Sequence, residues 1–129
     1  MSDTYEKGLA VRKQVLGEDY VNQALANADE FSQPLQDYVT SHAWGAVWTR
    51  EGLSKKQRSM VTLSILVAIN RPHELKIHLK GAINNGVTRA EIREIFLHAA
   101  AYCGAPAAVD SFRIAKEVFK ELDGLGAAS

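Results

Sequence analysis

Residues 71–86, RPHELKIHLKGAINNG, carry a complete set of helix punctuation. Pro72 has the fixed φ and missing N–H that suit a first helical turn, and Gly86 suits the left-handed residue that closes one. Between them, Leu75, Leu79, Ala82 and Ile83 fall on one stripe when residues are spaced about 100° apart. Lys76 and Lys80 lie beyond one edge of that stripe. Glu74, His78 and Asn85 line the other edge, with Gly81 beside them. The stretch therefore reads as a helix with one buried face and two polar flanks. Thr88-Arg-Ala-Glu91 follows with capping-box spacing and opens another helix, which reaches Cys103.

The helical period continues in both directions. Leu9, Arg12, Val15 and Leu16 predict a first helix closed by Gly17, and Tyr20, Val21, Ala24, Leu25 and Ala28 a second. Ser32 is placed to cap a third, with Pro34 in its first turn and Leu35, Tyr38, Val39, His42 and Ala46 along one side. Gly52 marks a break, and Ser54-Lys-Lys-Gln57 has capping-box spacing for a helix running to about Asn70. Within it, MVTLSILVAI (60–69) is too short to span a bilayer and reads as a buried helix. Gly104 and Pro106 precede a last helix through Leu122, with Phe112, Ala115, Phe119 and Leu122 as its expected core face. The tail GLGAAS is expected to fray. No alternating strand pattern, repeat or linker stands out, so the expected fold is an all-α single domain over residues 1–129, a bundle of six or seven helices. The run AAAYCGAPAA (99–108) is dense in small residues that let helix backbones approach closely, within the chain or between subunits.

With 129 residues, 47% of them apolar and 23% charged, the chain can bury a core. Fifteen basic residues balance fifteen acidic ones, and no segment combines clustered Lys and Arg with aromatics, so neither nucleic acid nor an anionic membrane is indicated. A single cysteine excludes an internal disulfide framework and fits a reducing compartment. MSDTYEKGLAVRK lacks the apolar run of a signal peptide, and a cytoplasmic location is expected.

Glu74 and His78, four apart beside a glycine, can face a small pocket or form an ordinary surface pair that adds a few tenths of a kcal/mol to the helix. Trp44 and Trp48 have the same spacing, which favours a core role over a binding surface. Gly45 between them leaves space, and Arg50 offers a two-pronged anion clamp. His42 lies in the same stretch. His98 reads as surface decoration, and Cys103, on the Ile92/Phe96/Ala99 stripe, as a buried inert thiol. His73 and His78 lie on different faces, and no HExxH, CxxC, phosphate loop or nucleophile elbow occurs, so no metal is expected.

The segments GLAVRKQVLGEDYV (8–21), AWGAVWTREGLSKKQRSMVTLSILVAINRPHELKIHLKGAINNGVTRAEI (43–92) and AAYCGAPAAVDSFRIAKEVF (100–119) resemble the carboxymuconolactone decarboxylase family. HLKGAINNGVT and the AEI after it are shared with the wider alkyl hydroperoxidase D-like superfamily, whereas AWGAVWTREGL and RPHEL are closer to the decarboxylase branch. Redox members of that superfamily resemble CxxCxxxH. Here the histidine is His78 and the cysteine positions hold Arg71 and Glu74, so the two thiols of a disulfide relay are missing.

The resemblance implies cofactor-free decarboxylation of 4-carboxymuconolactone to β-ketoadipate enol-lactone, in protocatechuate breakdown through the β-ketoadipate route. It implies His78 as acid or oxyanion donor, Glu74 setting its tautomer, and Arg50 or Arg71 holding carboxylates. Trp44 and Trp48 are the expected apolar walls, with His42 a further polar candidate. A carboxylate one turn away is expected to favour the His78 imidazolium. A homo-oligomer, usually a hexamer, is implied as well. A non-catalytic binding protein on the same scaffold and a thiol-dependent hydroperoxide reductase using Cys103 are the alternative readings.

Overall fold

The computed structural model describes residues 2–128, which form seven α-helices and one π-helical segment without strands. The chain divides into two compact units, Met1–Lys55 and Lys56–Ser129.

The first unit holds α1 (Asp3–Leu16), α2 (Glu18–Ala26) and α3 (Gln33–Tyr38), which continues into a π-helix over Val39–Trp48. The Ser2 hydroxyl caps α1 by accepting the Tyr5 N–H at 3.2 Å. Gly17, at φ 96°, ends α1 as expected. Ser32 does not cap α3: its hydroxyl accepts the Asp29 N–H at 3.0 Å and donates to the Asp29 carboxylate at 3.1 Å. The turn before the helix has taken that hydroxyl.

The expected third stripe also fails. Leu35 and Tyr38 are 60% and 61% exposed, and His42 and Ala46 are exposed too. Past Tyr38 the winding loosens to i→i+5, and the buried residues become Thr40, Trp44, Gly45 and Trp48. Nor is Gly45 open space. A Cβ on it would fall on the Thr4 carbonyl oxygen, and a Cβ on Gly8 would fall on the Thr40 carbonyl oxygen and 2.6 Å from the Gly45 nitrogen. These two glycines let the α1 backbone lie directly against the π-helix. Val15, Trp44 and Trp48 form this unit's core, flanked by Val11 and Leu16.

The second unit contains α4 (Lys55–Ala68, apart from its first residue), α5 (Pro72–Asn84), α6 (Arg89–Cys103) and α7 (Ala105–Ala128). Its core joins Leu63 and Val67 of α4, Leu75, Leu79 and Ala82 of α5, Ile92 and Phe96 of α6, and Ile114, Ala115 and Val118 of α7. The capping box at Thr88 is complete: Glu91 N–H donates to the Thr88 hydroxyl at 3.1 Å, and Thr88 N–H to the Glu91 carboxylate at 2.9 Å. At the end of α5, Val87 N–H reaches the Ala82 carbonyl (2.9 Å) and Gly86 N–H the Ile83 carbonyl (3.0 Å). This is the paired closure that needs a left-handed residue, and Gly86 has φ 91°. Since a Cβ there would meet no atom within 4 Å, Gly86→Ala should cost only backbone strain, about 1–2 kcal/mol in urea unfolding.

Three further expectations need correction. The 60–69 run is not buried all round: Leu63 and Val67 are inside, whereas Val61, Ile65 and Ile69 are 48%, 51% and 56% exposed. One face of α4 meets the core, and the opposite face of the same apolar run does not. On α7 the expected face does meet the core, with Ala115 buried and Phe112, Phe119 and Leu122 packed at its side, and Ala108, Ser111, Ile114 and Val118 are buried with it. Large rings fit at the flanks, where Phe112 meets Phe96 edge-on at 5.5 Å and Arg89 lies 4.5 Å over Phe119. The helix itself continues past Leu122 to Ala128, taking in all of the tail except Ser129, which lies outside the described residues.

Cys103, finally, is exposed. The apolar stripe of α6 runs past the core in its last turn, beyond Ala99. Cys103→Ala should therefore change stability by no more than about 0.5 kcal/mol and leave turnover near wild type. A tenfold loss of turnover in a folded variant would show otherwise.

Candidate functional site

His78 and Glu74 project from the first two turns of α5, whose Leu75 and Leu79 are locked in the core at 2% and 0% exposure. That anchoring fixes the azimuth of the pair. Glu74 is exposed, in the first turn where the helix dipole favours a carboxylate, and His78 is partly buried. Gly81 is buried next to the pair. Asn85, at the same edge, donates from its side chain to the hydroxyl of the buried Ser59 at 2.9 Å, tying the end of α5 to α4.

The expected imidazolium is not the resting form. Burial pushes the His78 pKa down to about 4, and the attraction of Glu74 recovers only part of that loss. Withdrawal from water penalises the charged ring, whereas Glu74 sits in solvent, where its field is screened. At neutral pH His78 is therefore an uncharged imidazole with one N–H to donate and one lone pair. The Glu74 carboxylate, one turn away, is the charge that acts on the ring.

Arg71 is the N-cap residue of α5, and its carbonyl accepts the Leu75 N–H at 2.9 Å. It follows Asn70, whose φ of 58° makes the reversal out of α4. Arg71 and Asp110 both border a crevice of about 10 Å³, room for about one water. On the opposite flank Lys76 and Lys80 each pair with Glu121 at 2.9 Å, so that edge is closed by ion pairs.

The other candidates belong to the first unit. Trp44 and Trp48 are 5% and 8% exposed and stacked at 4.8 Å, so most of their surface is spent on the local core. His42 is exposed against Tyr38, with ring centroids 4.6 Å apart. Arg50 is exposed just past the π-helix, its N–H donating to the Val47 carbonyl at 3.0 Å.

Sequence reasoning missed two features. The first is Arg12, 6% exposed inside the first unit; an arginine on an otherwise apolar stripe was the available signal. The second is a groove of about 800 Å³ between α4 and α6, lined by Val61, Ile95, His98, Tyr102 and Cys103 among others. Its signal was the excess of apolar residues in 60–69. No group of three or more metal-binding side chains occurs among the described residues.

The chain is 46% identical over 118 residues to a 4-carboxymuconolactone decarboxylase of Acinetobacter baylyi, covering 92% of this chain and 88% of that one. It is equally 46% identical over 118 residues to the nitrosuccinic acid decarboxylase npaB of Metarhizium robertsii, covering 92% and 82%. An uncharacterized 15.0 kDa protein of Paracoccus denitrificans is 30% identical over 83 residues, covering 62% and 61%. The carboxymuconolactone decarboxylase family model matches residues 33–117, spanning the π-helix, the His78 helix and most of α7. On the strength of that match and of the first two relatives, the chain belongs to the carboxymuconolactone decarboxylase family.

Proposed function

We propose that the protein is a cofactor-independent decarboxylase acting on 4-carboxymuconolactone. The observation that carries this reading is the 46% identity to a 4-carboxymuconolactone decarboxylase over 92% of the chain, with a histidine one turn from a glutamate at the edge of α5. The substrate ring holds a carboxylate and a carboxymethyl arm on one carbon. When the carbon–carboxylate bond breaks, its electron pair moves through the ring double bond onto the lactone carbonyl, giving a dienolate and carbon dioxide. A proton then adds at the ring carbon next to that carbonyl, so each turnover consumes one proton. The acceptor is part of the substrate, and the protein's task is to bind and to stabilise the oxyanion.

In this reading the His78 N–H donates to the dienolate oxygen and Glu74 holds the tautomer. Arg71 and Arg50 are the candidate carboxylate anchors. Trp44 and Trp48 serve as apolar walls through their remaining exposed edges, and His42 is a further polar candidate. The proton comes ultimately from solvent, and the neutral His78 ring serves as hydrogen-bond donor to the oxyanion.

Nitrosuccinic acid is the alternative substrate, favoured by the equal identity to the fungal relative. It too is a dicarboxylate whose breaking bond can empty onto an oxygen, here that of the nitro group. Comparing kcat/KM for the two compounds tests the choice. We expect the lactone to lead by at least about a hundredfold, because the two compounds place the oxygen that receives the electron pair differently relative to their carboxylates. A faster nitrosuccinate reaction would reverse the assignment.

The same reading takes the protein to be cytoplasmic and homo-oligomeric, most simply a hexamer. The exposed Val61, Ile65 and Tyr102 beside the α4/α6 groove support an interface between copies. Light scattering at micromolar concentration should give a mass several times 14.2 kDa, and a value near 14.2 kDa would exclude it.

A further inference from the structure

Arg12 is a buried cation for which the reaction has no obvious use. It points from α1 into the first unit, and one nitrogen, Nη1, donates both to the Gln36 side chain at 2.9 Å and to the Thr40 hydroxyl at 3.2 Å. No carboxylate pairs with it among the described residues, and its Nε is buried without a partner. Burial lowers its pKa, but a guanidinium remains charged. An apolar side chain would satisfy the core at less cost. The two acceptors explain its position. Gln36 lies in α3 and Thr40 in the π-helix, one turn apart across the junction where α-helical winding gives way to i→i+5 winding. Such winding is rare and marginal on its own. Here α1 holds it at two places one turn apart, the Gly8/Gly45 backbone contact and the Arg12 clamp.

We propose that Arg12 is a positioning residue that holds the 39–48 segment in π-helical winding and thereby aims Arg50 at a substrate carboxylate. The aiming step rests on the reading of Arg50 as an anchor. Reversion of ten residues to α-helical winding would turn Arg50, two residues past Trp48, through a large fraction of a turn about the helix axis. It would also change the mutual orientation of the two tryptophans, which stay neighbours at four-residue spacing in either winding.

Both tryptophans of the chain lie on this segment, so their far-ultraviolet exciton couplet reports its winding without interference. Arg12→Met should change the shape and intensity of the couplet, as the rings reorient, while the melting temperature holds because an apolar residue replaces a buried charge. KM for the lactone should rise roughly tenfold with kcat within about threefold, the signature of lost binding alone. Arg12→Lys should restore much of both signals, since a single nitrogen makes both bonds. Thr40→Val, which leaves Arg12 in place, should shift them the same way by less. In an Arg50→Ala background, Arg12→Met should raise KM no further.

An intact couplet in both Arg12→Met and Thr40→Val would overturn the clamp. A changed couplet with unchanged KM would reduce Arg12 to a structural residue, and multiplicative effects with Arg50→Ala would show that it acts elsewhere. If Arg50→Ala alone leaves KM unchanged, the anchor reading fails and the aiming role with it, a result obtained without touching Arg12.

Discussion

His78→Ala should lower kcat by about 10²–10³-fold while the helical circular dichroism stays native, which is the usual effect of removing one oxyanion donor. The side chain sits at the edge of α5, whose hold on the core comes from Leu75, Leu79 and Ala82, so its truncation leaves the packing in place. His78→Gln keeps a donor near the same position and should recover part of the loss. Glu74→Gln should cost less than either, because it disturbs the tautomer and leaves the N–H. Unfolding of His78→Ala, or near wild-type turnover, would return the pair to ordinary helix decoration.

The pH dependence follows from the direction of the His78 shift. In the unfolded chain the ring titrates near 6.5, and in the folded protein at about 4. Between those values the unfolded state takes up the proton first. Stability therefore falls as pH drops from about 6.5 to about 4, by up to the order of 3 kcal/mol, and is level in this group above 6.5. Activity carried by the neutral ring should hold from pH 8 to about pH 5 and decline toward 4 in kcat/KM, which reports the free enzyme. His78→Ala should lose this part of the stability profile.

Gly45→Ala should destabilise the protein by about 3 kcal/mol or more, at the top of the overpacking range. The added methyl meets the Thr4 carbonyl and lies 2.8 Å from the Thr4 side-chain methyl, so helix backbone has to move. Gly8→Ala should be as severe, since the Thr40 carbonyl stands in its way. Urea midpoints within 0.5 kcal/mol of wild type for either variant would mean that α1 and the π-helix are not in backbone contact. The contrast with Gly86→Ala is informative, because there only φ is at stake.

Where local signals and tertiary packing agreed, the sequence was readable. Pro72, Gly86 and the Thr88/Glu91 box set the ends of α5 and α6 where expected, and the α5 stripe buries Leu75, Leu79 and Ala82 as drawn. The π-helix was not readable, because a 3.6-residue wheel assigns Leu35, Tyr38 and His42 to one face and no propensity marks the switch to i→i+5. Gly45 looked like free space for the same reason: a missing side chain does not say what fills the gap. On α5 the place of His78 at the edge of the buried stripe, one turn from Glu74, was legible, but its charge was not. A carboxylate four residues away is visible in a sequence; the burial that outweighs it depends on the packed helices.

The most direct test of the account follows carbon dioxide and the unsaturated-lactone absorbance together, using the purified protein after exhaustive treatment with a chelator. With 4-carboxymuconolactone in heavy water, the account predicts one carbon dioxide per lactone consumed, with one deuterium on the product's ring carbon next to the carbonyl. Loss of absorbance without carbon dioxide, or no reaction at all from folded protein, would contradict it.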